Sequence, residues 1–207
     1  MEFSFNTIQN FDDHINKSIP NFDVLISSIK SISEYFFVDG SNVYDLGCST
    51  GKLLKEIKCK CNKIGYDNSE LLPEEAGFVN VDLNESFAIE SACVVYSIFT
   101  MQFLKTTQRK EYLKSIYDGL IDGGAMIICE KVYQSSGKLQ EVLSFSHYDY
   151  KLNHFEASEI IAKERDLRFI MKPCNDKELV NLITETGFST ISQFWQAFNF
   201  KAYIAIK

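Results

Sequence analysis

The sequence predicts an α/β fold: a mostly parallel sheet with helices on both faces and an antiparallel hairpin at its C-terminal end. Three observations carry this expectation. Between residues 22 and 129, short apolar runs of strand length alternate with segments of helical periodicity, and strands joined by crossover helices pair in parallel. A glycine-bounded turn, Gly47-Cys48-Ser49-Thr50-Gly51, separates the first such strand from a helix, where open α/β sheets take up ligands. The last two apolar runs, residues 189–194 and 200–206, are separated only by a turn and read as two adjacent strands.

Element by element, residues 22–37 carry Val24, Leu25, Ile29, Ile32 and Phe36 at helical spacing, an amphipathic helix that caps the sheet within an N-terminal helical region 1–38. Asn42-Val43-Tyr44-Asp45-Leu46 is a short buried strand, and a helix follows the glycine turn over residues 52–57. Strands at 63–66 and 78–81 end at Asp67 and Asp82. Too little chain lies between those two aspartates for a long crossover helix, so that connection is short. A fourth strand at 92–98 leads through Gln102 into a helix over residues 106–120; Asp122-Gly123-Gly124 turns the chain into a fifth strand at 125–129. Residues 133–172 are helical and polar, a lid over the strand ends, and a helix at 176–186 stops at Gly187. The closing hairpin separates methyltransferase-type domains from ordinary dinucleotide-binding ones.

Composition narrows the functions. At 207 residues with only three prolines and no low-complexity tract, the chain is expected to form a single domain. No apolar run approaches the roughly 18 residues of a membrane span, and the acidic start lacks the features of a signal peptide, so a cytoplasmic location without membrane contact is expected. A net charge of −7 argues against direct nucleic-acid binding, which draws its affinity from basic faces. Lys52, Lys55, Lys58, Lys60 and Lys63 read as a solvated helix face. The six cysteines read as reduced structural thiols: Cys59 and Cys61 make only a CxC pair, without the further ligands that a metal site needs, and no metal is expected.

The chemistry-bearing residues fall on the carboxyl edge of the predicted sheet. In the turn after Asp45 the glycine pattern is GxxxG, with Ser49 in place of a middle glycine, which suits an amino-acid tail better than a pyrophosphate. Asp67 ends the second strand 20 residues after Gly47, the placement at which a carboxylate accepts hydrogen bonds from ribose hydroxyls. Asp82 ends the third strand, where an acceptor can meet an adenine amino group. Together these predict a nucleoside site at Gly47, Cys48, Ser49, Gly51, Asp67, Asn68, Asp82 and Leu83.

Over nearly the whole chain the sequence resembles the bacterial carboxy-S-adenosylmethionine synthases, which have the class I methyltransferase fold. The resemblance rests on Ser18-Ile19-Pro20, Val43-Tyr44-Asp45-Leu46-Gly47-Cys48-Ser49, Asp67-Asn68-Ser69, Gln102-Phe103-Leu104, Gly123-Gly124-Ala125, Glu130-Lys131, Asp149 with Lys151, and Phe198-Asn199-Phe200. It implies S-adenosylmethionine, or its carboxylated derivative, as the bound cofactor. It also implies transfer of a carboxylate from prephenate to the sulfonium methyl, with release of phenylpyruvate. The product would serve a separate enzyme that modifies wobble uridine in tRNA. A sulfonium acidifies its methyl, so this chemistry needs exclusion of water and a cation for the new carboxylate, for which Arg is best suited.

By the resemblance, that Arg lies in the lid helix, contributed in part across a homodimer interface. The family's Lys-Arg pair corresponds to Lys163-Glu164-Arg165, so Arg165 takes the role if the helix register shifts by one residue, a rotation of about 100°; otherwise Glu164 faces the site. Lys151 is expected to meet an anionic substrate. Phe22 stands where the family has a Tyr near the cofactor, and Ser97 or Ile98 replaces an Asn at the end of the fourth strand. Glu130 and Lys131 read as a local ion pair. Two other functions fit the same cofactor turn: methyl transfer to another small acceptor, and cofactor binding without activity. A nicotinamide dehydrogenase fits worst, for want of GxGxxG.

Overall fold

The computed structural model describes residues 11–207; the first ten residues of the expected cap lie outside it. Strands Asn42–Leu46 (β1), Asn62–Asp67 (β2), Phe78–Asn80 (β3), Ala92–Ile98 (β4), Leu120–Lys131 (β5), Thr190–Ala197 (β6) and Phe200–Ile206 (β7) form one sheet in the order β3-β2-β1-β4-β5-β7-β6. β1 to β5 run parallel, and β7 lies antiparallel to both β5 and β6. The strand order reverses between β1 and β4, which opens a crevice at their carboxyl ends.

Both faces of the central strands are covered, so β4 reads Ala-Cys-Val-Val-Tyr-Ser-Ile with no polar alternation. On one face Tyr44, Leu46, Val95, Met126 and Ile128 pack on Leu113 and Ile116 of helix α4 (Arg109–Gly119) and on Leu179 and Ile183 of α7 (Asp176–Thr186). On the other, Val43, Val94, Tyr96 and Ile127 meet Leu25 and Ile29 of α2 (Phe22–Ser33) and Leu53 and Leu54 of α3 (Lys52–Glu56). Neighbouring strand residues serve opposite layers, as the pleat requires.

Boundaries differ from expectation where local chemistry intervenes. β5 starts at Leu120 because Asp122-Gly123-Gly124 forms an irregularity inside the strand: Ala92 pairs with Leu120, but Val94 already pairs with Ala125. Gly123 adopts φ +75° there, a conformation that favours glycine. One 3₁₀ turn, Thr106–Gln108, precedes α4, and α2 ends at Ser33. A short helix not separately expected, α1 (Phe11–Ser18), precedes α2. The connection between β2 and β3 contains no helix.

The segment expected as a lid contains α5 (Gly137–Lys151) and α6 (Ala157–Ile170). It is fastened at its ends. The Lys172 amide donates to the Gln102 carbonyl at 2.8 Å, and Arg109, buried, donates to the Lys172 carbonyl and to Cys174 Sγ. α5 is tied to the N-terminal region by His147, whose Nε2–H donates to the Ser18 carbonyl at 2.8 Å. Asn175 and Glu178 cap α7 reciprocally, and Gly187 ends it in the left-handed conformation. Among the described residues no helix is long and apolar enough to cross a membrane.

Candidate active site

The crevice over β1 and β4 deepens into a cavity of about 680 Å³, large enough for a nucleoside with an amino-acid tail and a small second substrate. Its floor is the turn after β1. Gly47 takes φ +79°, and a Cβ there would lie 2.4 Å from Thr100 Oγ1. That hydroxyl donates to the Leu46 carbonyl at 2.8 Å, so the turn is wedged against the end of β4. Ser49 also holds a positive φ of 48°, an uncommon conformation for a residue with a side chain. Its amide donates to Asp67 Oδ2 at 2.8 Å, and the Ser69 amide to Asp67 Oδ1 at 2.7 Å. Asp67 thus links the ends of β1 and β2, with both oxygens retaining lone pairs for a ligand.

Asp82 Oδ1 accepts from Asn84 N at 2.9 Å, an Asx turn that sets buried Leu83 in the cavity wall. Cys48, Asn68 and Phe22 line the cavity as well, and the Phe22 ring sits 6.4 Å from that of Phe99. Two expected cofactor residues lie elsewhere. Gly51 is not in the lining; a Cβ on it would strike the Phe78 ring at 2.4 Å, so its missing side chain serves packing. Ser97 is fully buried and accepts from the Tyr112 hydroxyl at 2.8 Å, because strand alternation turns it towards α4; its neighbour Ile98 faces the cavity.

The electrostatics of this half call for a polar, cationic ligand. Asp45 is only 4% exposed, and burial, with Asp67 nearby, pushes its carboxyl up to about 7. A sulfonium or ammonium beside it would restore the charged form. Among the described residues, Ser18, Ser49 and Ser69 each bury a hydroxyl without a hydrogen-bond partner, and all three border the cavity. Buried polar atoms are seldom left so. These groups fit S-adenosylmethionine, which supplies a methyl activated by the sulfonium.

The other half is cationic. Lys131, at the end of β5, Lys151, at the end of α5, and Lys163, on α6, reach the same cavity as Glu164. Glu164 Oε1 lies 3.4 Å from Lys151 Nζ and Oε2 lies 3.7 Å from Lys131 Nζ. Burial works against the Glu164 carboxylate, but the two lysines outweigh it and hold its pKa below the ordinary value. Burial lowers Lys131, with Glu164 opposing, and lowers Lys163 to about 8. Lys163 donates to His14 Nε2; burial, Lys163 and Lys151 drop His14 to about 4. Burial drops His147 to about 4 as well, so both imidazoles are neutral at pH 7.

Arg165 is not brought to this cavity within the single chain. It is exposed and does not border the cavity; the register of α6 is unshifted, and the preceding residue, Glu164, faces inward. Glu130 and Lys131 do not act as the expected pair. Glu130, fully buried, accepts from the Met101 amide at 3.0 Å, and burial raises it to about 8. Lys131 instead turns to Glu164, with its ammonium over the Phe200 ring. Thr100, His14 and His147 carried no local motif, and only the fold assembles them around the site.

No family model matches the chain. Curated relatives do. The carboxy-S-adenosyl-L-methionine synthase of Shewanella pealeana is 34% identical over 216 aligned residues, spanning 95% of this chain and 88% of its own. The enzyme of the same name from Staphylococcus epidermidis is 32% identical, over 97% of this chain and 94% of its own. Among solved structures, human N-acetylserotonin methyltransferase in complex with S-adenosylmethionine superposes with a TM-score of 0.54 at 15% identity over 88% of this chain. The pyocyanin biosynthetic protein PhzM gives 0.58 at 13% over 86%. This chain spans about half of each, 55% and 53%, and the likeness shows the shared fold. Sheet order, crevice and sequence agree: the chain belongs to the carboxy-S-adenosyl-L-methionine synthase family, as a transferase of the class I methyltransferase fold that uses S-adenosylmethionine.

Proposed function

We propose that the protein converts S-adenosylmethionine and prephenate into carboxy-S-adenosylmethionine, phenylpyruvate and water, the ring hydroxyl of prephenate leaving as its carboxylate departs. One observation carries this reading: in the second-substrate part of the cavity two largely buried lysines, Lys131 and Lys151, share one carboxylate among the described residues, that of Glu164. Buried cations need anions, and prephenate brings two carboxylates. In this reading Asp67 takes the ribose hydroxyls, Asp82 and Leu83 meet the adenine, and Asp45 with the Gly47-Cys48-Ser49 turn holds the methionine end. Lys151 and Lys131 hold the carboxylate that is transferred. α5 and α6 act as a lid that excludes water from the sulfonium methyl. The test is to incubate the protein with both substrates. Phenylpyruvate release dependent on S-adenosylmethionine is expected, and its absence would remove the reaction.

The product would be handed to a separate enzyme acting on tRNA, in keeping with the net charge of −7 on this chain. Six free cysteines suit a reducing, cytoplasmic setting. Phe145 and Phe169, 65% and 83% exposed on α5 and α6, support pairing of two copies through the lid, which light scattering would test. A second reading, methyl transfer to a small acceptor, draws on Glu164, whose negative charge opposes an incoming carboxylate; it requires demethylated cofactor as the product.

A further inference from the structure

Glu164 presents a conflict within the site. A carboxylate from the protein occupies the position between the two lysines that an anionic substrate needs, yet its hold is loose. Its contacts of 3.4 Å to Lys151 and 3.7 Å to Lys131 exceed the roughly 2.7–2.9 Å of a close charge-assisted hydrogen bond. It spends one oxygen on each ammonium, and each ammonium has three donors. All three side chains are largely buried, at 13%, 6% and 15% exposure for Glu164, Lys151 and Lys131. Without Glu164 two ammonium groups would face each other in a poorly solvated cavity, which is costly. With a substrate carboxylate added, two anions would compete for the same pair.

A route out of this competition lies on the same helix. Arg168 stands one turn beyond Glu164 on α6, at the i,i+4 spacing that lets side chains meet. Its charge is already felt at Lys131. Arg168 also meets the Tyr148 hydroxyl, and Glu164 would join it there through a change of rotamer.

We propose that Glu164 is a built-in competitor for the substrate carboxylate. It offsets one of the two charges of Lys131 and Lys151 while no anion is bound, then turns towards Arg168 when a carboxylate enters. This rests on the reading of the lysines as the anion site. Glu164 therefore determines how tightly, and how selectively, the second substrate is held, without itself touching the reacting methyl.

The test separates this from the overall reaction. Wild type and Glu164→Gln are each saturated with S-adenosylhomocysteine, which cannot react, and titrated calorimetrically with prephenate in the same buffer and at the same pH. The expected result is roughly tenfold tighter prephenate binding by Glu164→Gln, since a like charge has been removed from a buried site, with nucleoside affinity unchanged. Unchanged, weaker or undetectable prephenate binding by the variant would overturn the proposal, the weaker case marking Glu164 as a positioning residue for the lysines. Should Glu164→Gln fail to fold, Glu164→Asp keeps the charge but withdraws it by one methylene; several-fold tightening is then expected, and weakening refutes. Turnover is read separately. If neither protein releases phenylpyruvate, the carboxylation reading fails while the binding comparison still decides the role of Glu164.

Discussion

Replacing Asp45 by Asn exchanges a buried carboxylate for a neutral group of the same shape. In the folded protein burial, with Asp67 nearby, raises this acid from 3.8 to about 7. Each tenfold change in proton affinity corresponds to about 1.36 kcal/mol, so keeping Asp45 ionised in the ligand-free fold costs at most about 4 kcal/mol. The sign follows from proton binding. Below about pH 3 the folded and unfolded states are both largely protonated and the cost vanishes; at pH 4, where the unfolded carboxyl is roughly half ionised, it is still below about 1 kcal/mol. It grows as pH rises towards 7, and above 7 it is present in full. Asp45→Asn is therefore expected to be more stable than wild type by about 2–4 kcal/mol at pH 8, and by little at pH 4. Urea unfolding at the two pH values, without ligand, measures this. The order should reverse with saturating S-adenosylmethionine, because only the wild type gains a charged partner for its cation. A variant no more stable than wild type at pH 8 would refute the assignment of Asp45 as a strained acid awaiting a cation.

The same acid makes cofactor affinity pH-dependent: if the bound form requires ionised Asp45, affinity should rise about eightfold between pH 6 and pH 7.5, with proton release visible as a buffer-dependent binding enthalpy. Asp67→Ala should weaken S-adenosylmethionine binding more than tenfold, since hydrogen bonds to a charged acceptor contribute about 1.5–3 kcal/mol; an unchanged titration would remove Asp67 from the site. Gly47→Ala combines a positive φ with a Cβ 2.4 Å from Thr100 Oγ1, so it should lower the melting temperature, and Thr100→Ala should recover only the steric share of that loss. Additivity in this double-mutant cycle would contradict the contact. Lys151→Met should raise the KM for prephenate more than tenfold while leaving S-adenosylmethionine affinity within about twofold; equal losses of both would mean that Lys151 supports the cavity as a whole.

The fold was legible because its signals are local. Val43 to Leu46, the Gly47 turn and the closing pair of strands each state their geometry within a few residues, and strand ends fix where Asp67 and Asp82 must lie. What escaped depends on how elements meet. The bulge at Gly123 lengthens β5 only because Ala92 is its neighbour, and the conformation of Gly51 answers to Phe78 across the sheet. Ser97 and Ile98 are one residue apart, and only the pairing register assigns the cavity to Ile98 and the core to Ser97. The lid helix shows the same effect: a one-residue uncertainty is about 100° of rotation, and the register presents Glu164, not Arg165, to the cavity of this chain. His14 and Lys163, 149 residues apart, form a contact that no motif announces.

What the protein carries when purified tests the proposed reaction most directly. Native protein is denatured and the released small molecule identified by mass spectrometry, with and without prior incubation with S-adenosylmethionine and prephenate. Carboxy-S-adenosylmethionine, retained by the cationic end of the cavity and increased by the incubation, is the expected result. Recovery of S-adenosylmethionine or its demethylated product alone, with no carboxylated species after incubation, would contradict it.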